Sequence, residues 1–464
     1  MNRSGRLVKN TAILAVGTMF SSVFSFFLVP IFSAWLSSED YGTYDVYLTY
    51  ITLLIPIVTL ACGEAAFRFL LEKEIDEDRN TVLGTFFCMS MCGMLVGVLI
   101  AILIFDLFNF TALLPFISLF VSNLLYNQCN FMARGMRKLG EYTIANIIYL
   151  VVMAISVTGL VFFAKMGLNG ILYGNAIGHI CGAVYVFFHC KIWKSLGAMR
   201  FSFSVCKDMV KYSAPLIPNS VSWWIVNVSD RSIVNVFLGA AFNGVYAIAY
   251  KLPSLCSTVF GVFHMSWQES AVDSMSDTDR NKYFNGVFNR LVPFCVSVAA
   301  GVVAVNRYFY MWIWDEKYIS GYYHVWILAV AVCFSFIAQF IGGILVAQKR
   351  TKENGLTTVI AAVINIGIHL GLVKFIGLYA ASISTLVSYL SLFVIRFAIT
   401  RKEFELTVYK KSVLSITALV VVIVTQYFDN QIIGALTLVF AVVSTVYFNS
   451  DMIKGIAMKA LRRI

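Results

Sequence analysis

The stretch SWWIVNVSDRSIVNVFLG, residues 222–239, places an aspartate and an arginine side by side within an apolar run. The composition of the chain predicts the environment of these two residues. Hydrophobic residues make up 59% of the 464 residues, charged residues make up 13%, and the mean hydropathy is +0.81. Since soluble globular proteins carry roughly 25% charged residues, this chain lacks the polar surface to cover itself. We therefore expect an integral membrane protein that carries Asp230 and Arg231 within a transmembrane helix.

The apolar runs recur at the length that a helix needs to cross a bilayer, about 20 residues. We predict an all-α membrane protein with about fourteen transmembrane helices, at residues 11–36, 43–71, 80–105, 110–133, 142–164, 168–190, 212–238, 244–268, 287–305, 324–347, 356–373, 377–397, 412–427 and 431–448. The last two runs are short, so twelve helices followed by a loose tail is the alternative. The first run is too long for the core of a signal peptide, and we expect it to be retained.

The positions of lysine and arginine predict the orientation. With a cytoplasmic N-terminus, 26 of these residues fall on inner segments and 4 on outer loops. This strong positive-inside bias predicts that both termini are cytoplasmic. The net charge of +11 is then explained by basic loops that face anionic lipid headgroups, without a nucleic-acid partner.

Five basic residues fall within the predicted spans: Arg68, Arg231, Lys251, Arg290 and Arg396. A charge at the centre of a transmembrane helix costs at least ~2.5 kcal/mol, so such residues usually face a cavity or a partner. We expect Arg396 to snorkel from its helix end, and snorkelling is the alternative for Arg68 and Arg290. Arg231 and Lys251 lie about 10 Å inside the outer boundary, which predicts a cavity position for both; a local ion pair is the alternative for Arg231.

Helical periodicity groups polar side chains into stripes. One half of the helix that carries Arg231 holds Asn219, Trp223, Asn227, Asp230, Arg231 and Asn235. Amide, indole and guanidinium groups suit sugar hydroxyls and phosphate. A second stripe, Asn123, Asn127 and Asn130, lines a cavity or joins two helices. Glu64 and Arg68 are four residues apart and can neutralise each other.

Weak internal similarity predicts two related halves. With an offset of 202, Lys9 aligns with Lys211 and Gly42 with Gly244, and KMGLNGILYG (165–174) resembles KFIGLYAASIS (374–384). Two six-helix bundles in the same topology, with the site between them, are typical of transporters. The predicted segments are an N-terminal bundle (1–190), a basic cytoplasmic linker (191–211), a C-terminal bundle (212–400), and two additional helices with a basic tail (401–464).

Catalytic and metal-binding patterns are not evident in the sequence. The ten cysteines and five histidines are scattered, and no nucleotide-binding loop, zinc spacing or nucleophile–base motif occurs. We therefore expect neither enzyme activity nor a resident metal or cofactor. The predicted outer segment RYFYMWIWDEKYISGYY (307–323) is aromatic and is typical of an interfacial belt or a lid.

Three stretches resemble bacterial polysaccharide-biosynthesis flippases of the multidrug/oligosaccharidyl-lipid/polysaccharide exporter superfamily. They are KNTAILAVGTMFSSVFSFFLVPIFSAWLSSEDYGTYDVY (9–47), SDRSIVNVFLGAAFNGVYAIAYKL (229–252) and AQKRTKENGLTTVIAAVINIGIHLGLVKFIGLYAAS (347–382). The resemblance implies alternating-access translocation of undecaprenyl-pyrophosphate-linked sugar units across the bacterial inner membrane, for O-antigen or capsule. It also implies membrane lipids, a polysaccharide polymerase and chain-length machinery as partners. Asp230 and Arg231 match the family's pattern in the seventh helix.

The charge of the expected cavity agrees with this substrate. Four basic residues against two acidic ones leave a surplus of +2 for a pyrophosphate. We expect the pyrophosphate to contact Arg231, Lys251, Arg68 and Arg290, and the sugar to contact Asn227, Asn219, Trp223, Asn127 and Asn123. Proton or sodium coupling through Asp230 or Glu64 is a hypothesis. A cation-coupled multidrug exporter, which should have an acidic cavity, and a glycosyl polymerase or ligase, which should have a large catalytic outer loop, are the alternatives.

The orientation gives a first testable prediction. Reporter fusions after residues 320 and 429 should score external and a fusion after residue 464 should score internal, because the basic segments stay in the cytoplasm. A fusion after residue 350 serves as an internal control. An internal score after residue 429 would favour the twelve-helix alternative.

Overall fold

The computed structural model describes residues 24–72, 76–108, 112–428, 430–451 and 454. These described ranges are helices joined by turns and short loops, with no strand among them. The helices are α1 Phe24–Trp35, α2 Ser38–Val58, α3 Cys62–Glu72, α4 Asp76–Phe108, α5 Leu113–Gly135, α6 Leu139–Val157, α7 Gly167–His189, α8 Ile192–Ser195, α9 Phe203–Ser213, α10 Ile217–Leu238, α11 Ala240–Ala249, α12 Lys251–Asp273, α13 Arg280–Trp312, α14 His324–Ala347, α15 Thr351–Ile376, α16 Tyr379–Thr400, α17 Lys410–Thr425 and α18 Gln431–Phe448.

Over their described parts, the fourteen predicted spans fall on these helices, and the fifth continues from α6 into a π-helical turn, Thr158–Phe163. Eight helices (α4, α6, α7, α13, α14, α15, α16 and α18) are individually long and apolar enough to cross a bilayer, and the bent pair α2–α3 would make a ninth. The all-α membrane fold is thereby confirmed. The start of the first span, with Lys9 and the other N-terminal basic residues, lies outside the described residues, as do Lys73 and the basic tail 455–464.

The predicted span 43–71 is broken rather than continuous. It consists of α2 and α3, which meet at an angle of 60°. The break follows Pro56, which has no backbone N–H to donate within α2. Leu60 and Ala61 then adopt left-handed backbone conformations, with φ of 52° and 51°, which an α-helix cannot continue through. Hydropathy does not report such a break because both arms are apolar.

The chain forms two compact units, one ending at Trp224 and the other beginning at Ile225, within α10. In the first unit, α7 packs closely against α6. A Cβ added to Gly174 would lie 2.7 Å from the backbone nitrogen of Val157, and one added to Gly178 would lie 2.8 Å from the carbonyl oxygen of Tyr149. Small residues permit this close approach of two helices.

The segment 191–211, predicted as a basic linker, is packed on the first unit. The Ser202 N–H donates to Thr85 Oγ1 over 3.1 Å, and Met209 of α9 is fully buried. A Cβ on Gly84 would lie 2.7 Å from the backbone of Arg200, so α4 and this segment touch at main-chain distance. The predicted limits of the four sequence segments stay a prediction.

An aromatic core holds the second unit together. The indole of Trp267 stacks on Phe340 with ring centres 4.1 Å apart and donates to the Phe340 carbonyl over 2.8 Å. Both α17 and α18 pack against α13, and the Asn449 amide after α18 donates to Ser297 of α13 over 3.0 Å. The alternative of a loose tail after twelve helices does not fit this packing.

The expectation that Arg396 snorkels is wrong. Its side chain is 2% exposed and donates hydrogen bonds to two helices. The acceptors are the Ala338 carbonyl of α14 (2.9 Å), and on α15 the Asn354 carbonyl (3.1 Å) and the hydroxyls of Thr357 (3.1 Å) and Thr358 (3.0 Å). Gly342 provides the space, because a Cβ there would lie 2.7 Å from Arg396 Nη1. The guanidinium is thus satisfied by neutral acceptors inside the helix bundle, which removes the reason to reach for the membrane surface.

We predict that Arg396→Leu destabilises the protein by about 3 kcal/mol, because it removes several hydrogen bonds with a charged donor and strands their buried acceptors. Thermal unfolding of the detergent-solubilised protein measures the loss. Arg396→Lys should also be destabilised, since one ammonium cannot replace the planar fork. Arg401→Leu, at an exposed position one turn later, is the matched control. Equal melting temperatures for the 396 and 401 variants would contradict the role of Arg396.

Candidate functional site

Asp230 of α10 lies at the centre of a buried polar group in the second unit. Its side chain accepts hydrogen bonds at Oδ2 from Tyr246 Oη of α11, over 3.1 Å, and from Thr385 Oγ1 of α16. Its other oxygen, Oδ1, lies 3.2 Å from Nδ1 of His369 on α15. Asp230 is 3% exposed and His369 is fully buried. We call these four residues the Asp230 cluster.

The Asp230 cluster can accommodate two protonation states. Thr385 Oγ1 lies within hydrogen-bond distance of both Asp230 Oδ2 and the Ala381 carbonyl, the latter at 2.9 Å. A hydroxyl has one hydrogen to donate. It can donate to an ionised Asp230, or it can donate to the Ala381 carbonyl and accept a hydrogen bond from the O–H of a neutral Asp230. Either state keeps the carboxyl group hydrogen-bonded, which a buried carboxyl group requires.

Polar atoms beside the cluster have unused hydrogen-bonding capacity. Within the described part of the chain, His369 Nε2 and both side-chain amide atoms of Asn365 are buried and have no hydrogen-bond partner. Asn365 precedes His369 by one turn of α15 and is fully buried. Unsatisfied buried groups are uncommon in proteins and usually indicate a place that a water or an ion can occupy. A proton, a water or a small cation would find acceptors here.

Two predicted basic residues lie at the same helical junction. The Arg231 guanidinium lies 5.8 Å from the ring centre of Tyr250, the residue between α11 and α12. Tyr250 in turn lies parallel to Tyr246 of the Asp230 cluster, with ring centres 6.3 Å apart. Lys251 follows Tyr250 directly, and both Arg231 and Lys251 are half-buried. The junction therefore brings Arg231 and Lys251 next to the Asp230 cluster.

Arg290 lies elsewhere in the second unit. It is exposed on α13, and its charge acts on Asp451, beyond the end of α18. The pKa of Asp451 is lowered mainly by a hydrogen bond from Lys411 and by its charge, and further by Lys454 and Arg290. The structure thus groups Arg290 with the basic residues around Asp451.

In the first unit, Glu64 and Arg68 are both exposed on α3, and the Arg68 guanidinium lies 5.1 Å from the ring centre of Tyr212. Trp223, near the middle of α10, is half-buried. The side chains of Asn219 and Asn227 lie outside the part of the chain that the structure describes.

The asparagine stripe of α5 links two helices of the first unit. The Asn127 amide donates to Asn123 Oδ1 over 2.6 Å, and Asn123 Nδ2 lies 3.5 Å from Nε2 of His179 on α7. His179 is buried and stacks on Tyr149 of α6 with ring centres 4.4 Å apart. The stripe therefore continues into a polar and aromatic layer across α5, α6 and α7.

Sequence reasoning identified Asp230 but missed Tyr246, His369 and Thr385. The histidine is 139 residues from Asp230 and the threonine 155, so only the folded chain brings them together. One signal was available. Asn365 and His369 are four residues apart in the apolar run NIGIHLG, which places both polar side chains on one face of the predicted helix.

We predict that Asp230 and His369 are energetically coupled. In a double-mutant cycle of Asp230→Asn and His369→Gln, thermal unfolding should show a coupling of about 1 kcal/mol or more, because each residue is the other's buried partner. Asp230→Asn combined with Asn289→Ala is the control, since Asn289 bonds to the segment at Thr407 and Tyr409 instead. Additive effects of the first pair would show that the contact contributes nothing.

Comparison with known proteins identifies the family of this chain. The polysaccharide biosynthesis protein family matches residues 7–267, more than half of the chain. A search of curated protein sequences returns no significant match.

Two solved structures show the fold. The lipid II flippase MurJ, in an inward closed conformation, is similar over 95% of this chain and 99% of its own, with a TM-score of 0.69 and 17% identity. An inward-facing multidrug resistance MATE family transporter of the MOP superfamily is similar over 84% of this chain and 98% of its own, with a TM-score of 0.67 and 11% identity. The chain is a multi-pass membrane protein with the fold of these transporters, and it belongs to the polysaccharide biosynthesis protein family.

Proposed function

We propose that this protein is a flippase that moves undecaprenyl-pyrophosphate-linked oligosaccharide units across the bacterial inner membrane for the synthesis of a surface polysaccharide such as O-antigen or capsule. The family and the fold support transport of a lipid-linked glycan by alternating access. The observation that carries the proposal is the junction of α10, α11 and α12, where two half-buried basic residues stand beside a buried titratable cluster.

Arg231 is the proposed ligand of the pyrophosphate, assisted by Lys251. A guanidinium presents a planar fork that matches phosphate oxygens, and a lysine adds a point charge. The ring of Tyr250 lies beside the guanidinium and helps to orient it.

The Asp230 cluster is the proposed coupling site. A buried carboxyl group that keeps its hydrogen bonds in both protonation states can bind and release a proton within an apolar bundle. His369 adds a second titratable group, and its free Nε2 with Asn365 gives a cation further acceptors. We assign the hypothesis of proton or sodium coupling to Asp230 rather than to Glu64, because Glu64 is exposed on α3.

The multidrug-exporter alternative has support from the fold and from the buried carboxyl group of Asp230. Two basic residues at the same junction favour an anionic substrate over a cationic drug. The polymerase or ligase alternative needs a catalytic outer segment. Between α13 and α14 the chain instead forms one short 3₁₀ helix, Glu316–Gly321, which offers little room for a catalytic centre.

The test is the loss of translocation on removal of the guanidinium. Arg231→Ala should lower surface polysaccharide at least about tenfold, which corresponds to roughly 1.4 kcal/mol of lost substrate binding, with lipid-linked glycan accumulating in the inner leaflet. Arg231→Lys should restore part of the export because it keeps the charge. Immunoblotting of membranes verifies equal protein levels, and the exposed Arg401→Ala is the control.

Two results would count against the proposal. Normal polysaccharide from cells that carry only Arg231→Ala would remove Arg231 from the substrate site. Unchanged polysaccharide together with increased sensitivity to cationic drugs in a deletion strain would favour the multidrug exporter.

Asp230→Asn should abolish the dependence of transport on the ion gradient while leaving binding of the lipid-linked glycan in place.

A further inference from the structure

A candidate second site lies in the described part of the second unit, and no residue of the Asp230 cluster lines it. A cavity of about 510 Å³ opens between the end of α13, the residues just before α14, the residues just after α17, and the start of α18. Its walls include Arg307, Tyr310, Tyr322, Tyr323, Gln426 and Tyr427. We call it the tyrosine pocket. It uses part of the aromatic segment 307–323, whose sequence is typical of a belt or a lid.

The aromatic rings of the pocket are arranged as a group. Tyr323 and Tyr427 stack with ring centres 5.2 Å apart and an angle of 18° between the rings. Tyr322 stands nearly perpendicular both to Tyr323, at 5.0 Å, and to Tyr310, at 5.5 Å. Tyr427 is 58% exposed and Tyr323 is 38% exposed, so their outer faces are accessible. Aromatic residues of a membrane belt need no such mutual contact, because each one meets the lipid interface separately.

Hydrogen-bonding groups stand at the edges of these rings. Tyr322 Oη donates to Gln426 Oε1 over 2.6 Å, and Arg307 Nη1 donates to the Phe428 carbonyl over 2.9 Å. Gly434 of α18 makes room for the arginine, since a Cβ there would lie 3.0 Å from Arg307 Cδ. The amide and the guanidinium are therefore held in place by their own contacts, and the pocket is preorganised.

The hydroxyl of Tyr310 at the pocket has no hydrogen-bond partner among the described residues. Tyr310 is 8% exposed and its hydroxyl is buried without a hydrogen bond among the described residues. The hydroxyl lies beside Gly321, where a Cβ would come within 2.7 Å of it. A buried hydroxyl without a partner costs free energy unless water or a ligand satisfies it.

We propose that the tyrosine pocket binds sugar rings of the transported glycan, an inference that rests on the proposed function. The flat, apolar faces of Tyr323 and Tyr427 suit the C–H faces of a pyranose, and Gln426 and Arg307 suit its hydroxyls. The volume of 510 Å³ falls within the range of roughly 300–1,000 Å³ typical of small-molecule sites. An isoprenoid chain offers no hydroxyl to the amide or the guanidinium at the edges of the rings, which favours the glycan over the lipid tail.

The position of the pocket in the predicted topology indicates the stage of transport at which it binds the glycan. The predicted topology places segment 307–323 and the turn between α17 and α18 on the outer side of the membrane. The pocket therefore meets the glycan after translocation. Binding of the sugar there lowers the free energy of the outward product and disfavours its return.

The experiment uses the full-length protein in nanodiscs and lipid-free oligosaccharides released by mild acid from the surface polysaccharide of the producing strain. Saturation-transfer NMR detects binding, and a titration gives the affinity. Tyr427→Ala and Gln426→Ala should each weaken binding about tenfold, because they remove a stacking face and a hydrogen-bonding edge. Tyr447→Ala, which removes an exposed aromatic ring from the other end of α18, is the matched control and should bind as the wild type does.

The outcomes separate this inference from the proposed function. Unaltered binding by both pocket variants, or wild-type binding only to vesicles that contain undecaprenyl phosphate, would overturn the pocket assignment. So would a wild-type protein that transports the lipid-linked glycan but binds no released oligosaccharide. A wild-type protein that binds the oligosaccharide through Tyr427 and Gln426 but fails to translocate the lipid-linked form would overturn the flippase proposal alone. Thermal unfolding of each variant verifies that a loss of binding is not a loss of folding.

Discussion

The burial of one carboxyl group constrains much of the second unit. Asp230 lies in an apolar helix, 3% exposed, where an unpaired carboxylate would be very unfavourable. Its partners come from α11, α15 and α16, and each of these helices must place one polar side chain within hydrogen-bond distance of α10. This requirement fixes how α11, α15 and α16 are rotated about their axes and how deep each lies in the bundle. Their apolar surfaces alone would allow many such arrangements. A buried polar cluster can thus specify a unique arrangement as well as carry chemistry.

The second unit also contains the buried ionisable side chain of Arg396, and its surroundings differ from those of Asp230. Arg396 is surrounded by carbonyl and hydroxyl acceptors that leave it charged and immobile. Asp230 is surrounded by hydroxyls and an imidazole, which can exchange donor and acceptor roles. One site therefore stabilises a fixed charge, whereas the partners of the other can rearrange their hydrogen bonds. Burial does not explain the difference, because both side chains are almost equally buried; the chemistry of each charged group and of its partners does.

Hydropathy and helical length were sufficient to predict the helices, because membrane spans are specified locally by runs of apolar residues. Features that depend on contacts between distant segments were not predicted. The break at Leu60 and Ala61 is a change of backbone conformation between two apolar helices, which hydropathy does not show. The location of Arg396 depended on Gly342 and on two threonines of another helix, so the end of its own helix gave a misleading signal. Asp230 and Arg231 were conspicuous as charges, whereas neutral partners such as Thr385 resemble ordinary helix residues until the fold brings them together.

The single hydrogen of the Thr385 hydroxyl has a consequence for the order of events. Its two acceptors, Asp230 and the Ala381 carbonyl, compete for it, and changing between them needs only a turn about one C–O bond. Side-chain reorientation takes picoseconds to nanoseconds, whereas collective helix motions take microseconds to milliseconds. The hydrogen bonds around Asp230 can therefore rearrange many times during a single movement of the helices. A slow movement of the helices would then respond to the average of these hydrogen-bond arrangements and not to any one of them.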